Sequence, residues 1–135
     1  MFHVVLYQPE IPPNTGNIVR LCVNTGAHLH LIRPLGFSVD DKQLRRAGLD
    51  YRERVELREY DTMEHFATAV QPARIFACST RGQQRHTDVN FQRGDALLFG
   101  PETRGLPQSL LDELPAEHLI RIPMVAGNRS LNLSN

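Results

Sequence analysis

With 135 residues the chain holds one domain, able to bury about two-thirds of its unfolded surface, and is too short for two. Fifteen basic residues balance fifteen acidic ones, so no global field draws the molecule onto nucleic acid or an anionic membrane, and any polyanion site must be local. Fourteen of the basic residues are arginine, which suits bidentate phosphate contacts, although a GC-rich genome produces the same bias. Cys22 and Cys78 are isolated in apolar segments, which excludes a disulfide framework or a paired-cysteine metal site and makes a reducing cytoplasm the expected compartment.

The first apolar run, Val4-Val5-Leu6, reads as a strand and is halted by Pro9, Pro12 and Pro13, so neither a signal peptide nor a membrane span is expected there. A helix is predicted over 15–25, with Asn14 or Thr15 capping its start and Gly26 ending it in the left-handed conformation. Ile18, Leu21, Cys22 and Thr25 recur at core-face spacing. Asn17, Arg20 and Asn24 make a separate polar stripe, and Val19 with Val23 a second apolar one, so the helix is expected to bury two sides, against a partner subunit or a loop.

Leu29-His30-Leu31-Ile32 is the next strand. His28 and His30 share one of its faces, but no third metal ligand is evident and they read as ordinary strand histidines. Helices follow over 41–47, 63–70 and 108–114, interleaved with strands at Ile75-Phe76-Ala77-Cys78, Ala96-Leu97-Leu98-Phe99 and Leu119-Ile120-Arg121-Ile122 and a weaker strand over 55–60. Apolar runs without alternation mark strands covered on both faces, hence an α/β fold with a mostly parallel sheet flanked by helices.

The last third carries the most informative loop. Phe99-Gly100-Pro101-Glu102-Thr103-Arg104-Gly105-Leu106-Pro107 leaves its strand through a glycine, which lets a ligand meet bare backbone, and a proline that fixes the exit. A second exit, Ile122-Pro123-Met124, leads to Asn128-Arg129-Ser130-Leu131-Asn132-Leu133-Ser134-Asn135. No GxGxxG, P-loop or GxSxG pattern is present, so ordinary dinucleotide, nucleotide-triphosphate and serine-hydrolase sites lose support.

Three elements remain: Asn14-x-Gly16-Asn17-x-x-Arg20, the 99–107 loop, and Ile122-Pro123-Met124 with 129–135. In this order and at these separations they resemble the SPOUT superfamily of S-adenosylmethionine-dependent RNA methyltransferases. Pro9-Glu10-Ile11-Pro12-Pro13 and Leu44-Arg45-Arg46-Ala47-Gly48-Leu49-Asp50-Tyr51 extend the likeness over the whole chain, to the short single-domain enzymes that methylate the wobble ribose of tRNA. The resemblance implies a C-terminal trefoil knot, a homodimer, S-adenosylmethionine as methyl donor with no metal, and the tRNA anticodon stem-loop as partner, away from any membrane. The acceptor would be the 2′-hydroxyl of cytidine or a modified uridine; a non-catalytic donor- or RNA-binding dimer of the same fold is the competing reading.

By the same resemblance Arg20, Asn14 and Glu102 form the catalytic group, with Arg20 serving the RNA side. Cys78, Gly100, Ile122 and Ser130 mark the donor pocket, where three strand ends should converge at the carboxyl edge of the sheet. Arg20, Arg45, Arg46 and Asn132 are expected at the RNA, with Arg81 and Arg85 as further basic candidates. Proteins of this kind continue into an apolar C-terminal helix that the 135 residues do not contain, so the third wall of the pocket is expected without that support.

Overall fold

The computed structural model describes residues 1–38, 42, 57–121 and 133. Seven parallel strands form one sheet: β1 (His3–Tyr7), β2 (His28–Ile32), β3 (Arg58–Tyr60), β4 (Ile75–Cys78), β5 (Gln84–Arg85), β6 (Ala96–Phe99) and β7 (Leu119–Arg121). Their spatial order is β3-β2-β1-β6-β4-β7-β5, and α1 (Pro12–Thr25), α2 (Met63–Val70) and α3 (Gln108–Asp112) supply the described α-helices. Apart from residue 42, the predicted helix over 41–47 lies outside the described residues, as do residues 55–56 of the predicted third strand.

Alternation along each strand sorts the side chains into two cores. Val5, Ile32, Ala77, Ala96 and Leu98 pack with Tyr60, Phe66, Leu106 and Leu111 on the face bearing α2 and α3. Val4, Leu6, Leu29 and Leu31 pack with Ile18, Val19 and Cys22 of α1 on the other, where Phe99 and Leu133 join them. Burial on both faces explains why the strand sequences run apolar without a break.

Helix α1 begins three residues earlier than the pattern predicts. Pro12 and Pro13 occupy its first turn, where a missing N–H costs nothing, and Ile11 is the cap residue with no side-chain bond of its own, so neither Asn14 nor Thr15 caps it. Gly26 ends the helix at φ 76°, as expected, with its N–H on the Cys22 carbonyl. The core face is Ile18, Val19 and Cys22, whereas Leu21, predicted to be core, is 51% exposed. Val19 belongs to that same face and packs in the same core cluster, so it is not part of a separate stripe.

β5 escaped prediction because two residues carry no period. It matters for topology: β7 lies between β4 and β5, with Ile120 registered against both Cys78 and Gln84. The short 79–83 connection therefore spans a strand that is made forty residues later. Ser79 donates its N–H to the Ile120 carbonyl at 2.9 Å. A Cβ on Gly82 would lie 2.4 Å from the Ile120 carbonyl carbon, so only glycine permits this crossing.

Candidate active site

Strand pairing places the ends of β1, β6, β4 and β7 side by side, with Leu6 level with Phe99 and Phe99 level with Cys78. This carboxyl edge is where open parallel sheets bind ligands. Among the described residues, the loops 8–11 after β1 and 100–107 after β6 meet there.

The loops clasp each other through two carboxylates. Glu102 accepts the backbone N–H of Glu10 at 2.9 Å and of Ile11 at 2.8 Å, and the side-chain amide of Asn14 at 3.3 Å. An acidic group from a distant loop thus supplies the N-terminal cap that α1's own residues do not, at the positive end of the helix dipole. In return, Glu10 accepts the Thr103 N–H at 2.9 Å and the Thr103 hydroxyl at 2.8 Å. Those bonds and the Arg104 guanidinium, 3.6 Å away, hold the Glu10 carboxyl below its ordinary pKa. Arg104 also donates to the Gln8 amide oxygen at 3.2 Å, and Gln8 sits at φ 49°, a conformation that turns the chain sharply out of β1.

The 100–106 loop closes on itself as well. Gly105 donates to the Pro101 carbonyl at 2.9 Å, and a Cβ on Gly100 would stand 2.5 Å from the Leu106 nitrogen. Glycine at 100 is therefore demanded by the loop's own return path, a reason the sequence did not disclose. Leu106 then enters the core beside α3.

Of the expected catalytic group, Asn14 and Glu102 are in contact, and both belong to the clasp. Arg20 lies six residues along α1 from Asn14, about 9 Å at helical rise, on the exposed side with Asn17, Leu21 and Asn24. Cys78 closes β4 at the carboxyl edge of the sheet; burial pushes its thiol up to about 12, and that of Cys22 up to about 11. Neither is a thiolate at neutral pH. Arg81 donates to Gln108 at the start of α3, and Arg85 is exposed on β5. Ile122, Ser130, Arg45, Arg46 and Asn132 lie outside the described residues.

Sequence reasoning missed Glu10, Thr103 and Gly82. Glu10 stood in a proline-rich run that reads as a turn, and only the spatial meeting of loops ninety residues apart reveals its partner. It treated His28 and His30 alike, whereas His30 is wholly buried, 3.0 Å from both the His3 ring and the Tyr60 hydroxyl. Desolvation lowers the His30 pKa to about 3, so it is neutral in the fold. Among the described residues no cluster of three or more histidine, cysteine or acidic side chains is disposed to hold a metal.

The fold is that of an α/β protein with a parallel sheet flanked by helices, whose carboxyl edge gathers the loops after β1 and β6 and whose β7 pairs between β4 and β5. The model of the SpoU rRNA methylase family matches residues 1–135, and the chain belongs to that family. It is 59% identical over 135 residues to the tRNA (cytidine(34)-2′-O)-methyltransferase of Escherichia coli K12, covering 100% of this chain and 86% of that protein. A solved structure concerned with 2′-OH methylation of C/U34 on tRNA superposes with a TM-score of 0.92 at 50% identity, covering 99% of this chain and 87% of that one. An AdoMet-bound rRNA methyltransferase from Sinorhizobium meliloti has the same fold, with a TM-score of 0.86 at 24% identity over 98% of this chain and 51% of that one.

Proposed function

We propose that this protein transfers a methyl group from S-adenosylmethionine to the ribose 2′-hydroxyl of the wobble nucleotide of tRNA, cytidine or modified uridine. The observation that carries the reading is the Glu102 clasp, which joins the Asn14 helix start and the 100–107 loop into one wall, in a chain 59% identical to a tRNA (cytidine(34)-2′-O)-methyltransferase along its full length.

The reaction is an in-line displacement: the ribose oxygen bonds to the methyl carbon as the carbon–sulfur bond breaks, and the hydroxyl proton leaves. The donor supplies a sulfonium methyl ready for attack. The protein's part is to align the two substrates and stabilise the oxygen's developing charge. Cys78, with its thiol held protonated, gives no covalent relay, which favours direct transfer. A guanidinium is a poor general base, so the role of Arg20 is to grip the neighbouring phosphate and stabilise the alkoxide while phosphate or solvent takes the proton. Glu102 and Asn14 set the helix that carries it. Cys78, Gly100, Ile122 and Ser130 border the donor, and Arg45, Arg46 and Asn132 meet RNA.

The working form is a homodimer in the cytoplasm, with the C-terminal part tied into a trefoil knot. Half-exposed Leu21, beside Asn17, Arg20 and Asn24, supports a partner on that face of α1, and β7 lying beneath the 79–83 connection supports the knot. No described helix is long and apolar enough to cross a membrane. Incubation with donor carrying a labelled methyl group and bulk tRNA tests the reading: label in tRNA that is lost when the 2′-hydroxyl at the wobble position is replaced by hydrogen supports it, and label that persists in that RNA refutes it.

A further inference from the structure

A cavity of about 330 Å³ opens at the carboxyl edge on the β3-β2-β1 half of the sheet, away from the β6-β4-β7 ends that carry the donor loops. Its apolar floor is Tyr7, its sides Met63 of α2 and Leu110 of α3, with the fully buried Ile32 behind them. Asp61, Thr62, Ser109 and Glu113 set polar atoms around that apolar floor, with the half-exposed guanidinium of Arg33 at the rim. Gln8, which holds Arg104 of the 100–107 loop, also lines it, and Pro107 at the end of that loop forms part of the wall. One loop therefore separates this cavity from the donor edge.

We infer that this cavity is a nucleobase subsite, which takes one unpaired base of the RNA loop next to the target nucleotide. The size lies at the low end for small-ligand sites, about 300–1,000 Å³, which suits a single nucleoside rather than a helix or peptide. Apolar and aromatic floor atoms suit a base face, since RNA sequence is read mainly from splayed single-stranded bases stacked on side chains. The carboxylates of Asp61 and Glu113 accept hydrogen bonds and donate none, so they favour a base with an exocyclic amino group, adenine, cytosine or guanine, over uracil. The guanidinium of Arg33, oriented by Glu59 at 3.3 Å and Asp61 at 2.6 Å and half-exposed at the rim, is the cation within this lining that an adjoining phosphate would meet.

This inference rests on the RNA methyltransferase reading and names a part of the RNA that the reading leaves open. Synthetic anticodon stem-loops, each lacking one base of the loop, are assayed for ribose methylation by the wild-type chain and by Ser109→Trp, which fills the cavity from the exposed surface of α3. Removing one particular base beside the target should raise the RNA KM by about tenfold or more in the wild type, the worth of one stacked base. Ser109→Trp should show the same rise on the intact loop, no further rise on that abasic loop, and unchanged donor affinity and Tm. A KM within twofold of wild type, or penalties that multiply, would overturn the subsite while leaving the methyltransferase reading in place. Wild-type protein that methylates the ribose of no stem-loop or intact tRNA would remove the reading itself, and the subsite with it.

Discussion

Glu10 and Glu102 each bind the other's loop: Glu102 takes the backbone N–H groups of residues 10 and 11, and Glu10 takes the N–H and hydroxyl of Thr103. The reciprocity makes the start of α1 and the 100–107 loop a single mechanical unit. A change in either carboxylate should thus reach Arg20 through the helix, without touching it.

Glu102→Ala leaves two helix-start N–H groups without their acceptor and is expected to cost about 1–3 kcal/mol of stability. Glu102→Gln keeps one carbonyl acceptor and should recover part of it. Urea denaturation alongside single-turnover methyl transfer checks both, with transfer falling in step with the loss of the clasp.

Gly82→Ala brings a Cβ to 2.4 Å from the Ile120 carbonyl carbon and 2.9 Å from the Arg121 nitrogen. Backbone cannot yield as a side chain can, so a destabilisation of about 3 kcal/mol or more, or failure to fold, is expected. Gly105→Ala is the control: nothing lies within 4 Å of its Cβ, and the cost at φ +69° is about 1 kcal/mol. Thermal unfolding of the pair separates steric collision from backbone strain. Gly100→Ala belongs with Gly82, because its Cβ meets Leu106 at 2.5 Å, and donor affinity in that variant must be measured together with Tm.

His30 gives the fold a pH dependence. Its pKa is about 3 in the fold against 6.5 in the ordinary state, so the folded protein holds it neutral where the unfolded chain would be protonated. Below pH 6.5 unfolding takes up a proton, and stability present above that pH is lost as the pH falls toward 3. Each pH unit removes about 1.4 kcal/mol for one proton, roughly 2–3 kcal/mol by pH 4.5. His30→Gln, measured by urea midpoints across pH 4.5–7.5, should flatten the slope by close to one proton.

Arg20→Ala is expected to leave donor Kd within about twofold while lowering the transfer rate by about a hundredfold or more, the scale of a lost transition-state contact. Calorimetry and quenched-flow transfer measure the two separately. Loss of donor affinity at equal proportion would move Arg20 to the donor side.

The sheet was legible because buried parallel strands announce themselves as short apolar runs, and β4 and β6 were found at their observed bounds. The start of α1 was misplaced because its cap comes from Glu102, ninety residues away, which no local rule can see. Leu21 kept the spacing of a core residue, but the core takes Val19 with Ile18 and Cys22 and leaves Leu21 exposed. The motifs put Asn14 and Glu102 in one expected group, and the structure brings the two side chains into contact, whereas the roles of Glu10 and Gly82 depend on contacts between distant segments. A two-residue strand such as β5 leaves no period to read.

The most direct measurement is mass-spectrometric mapping of the methyl group after incubation of the protein with S-adenosylmethionine and unmodified tRNA. The account predicts one added methyl on the ribose of the nucleotide at position 34, protected from alkaline cleavage at its 3′ side. A methyl group on a base, or on a ribose elsewhere in the tRNA with position 34 unchanged, would contradict it.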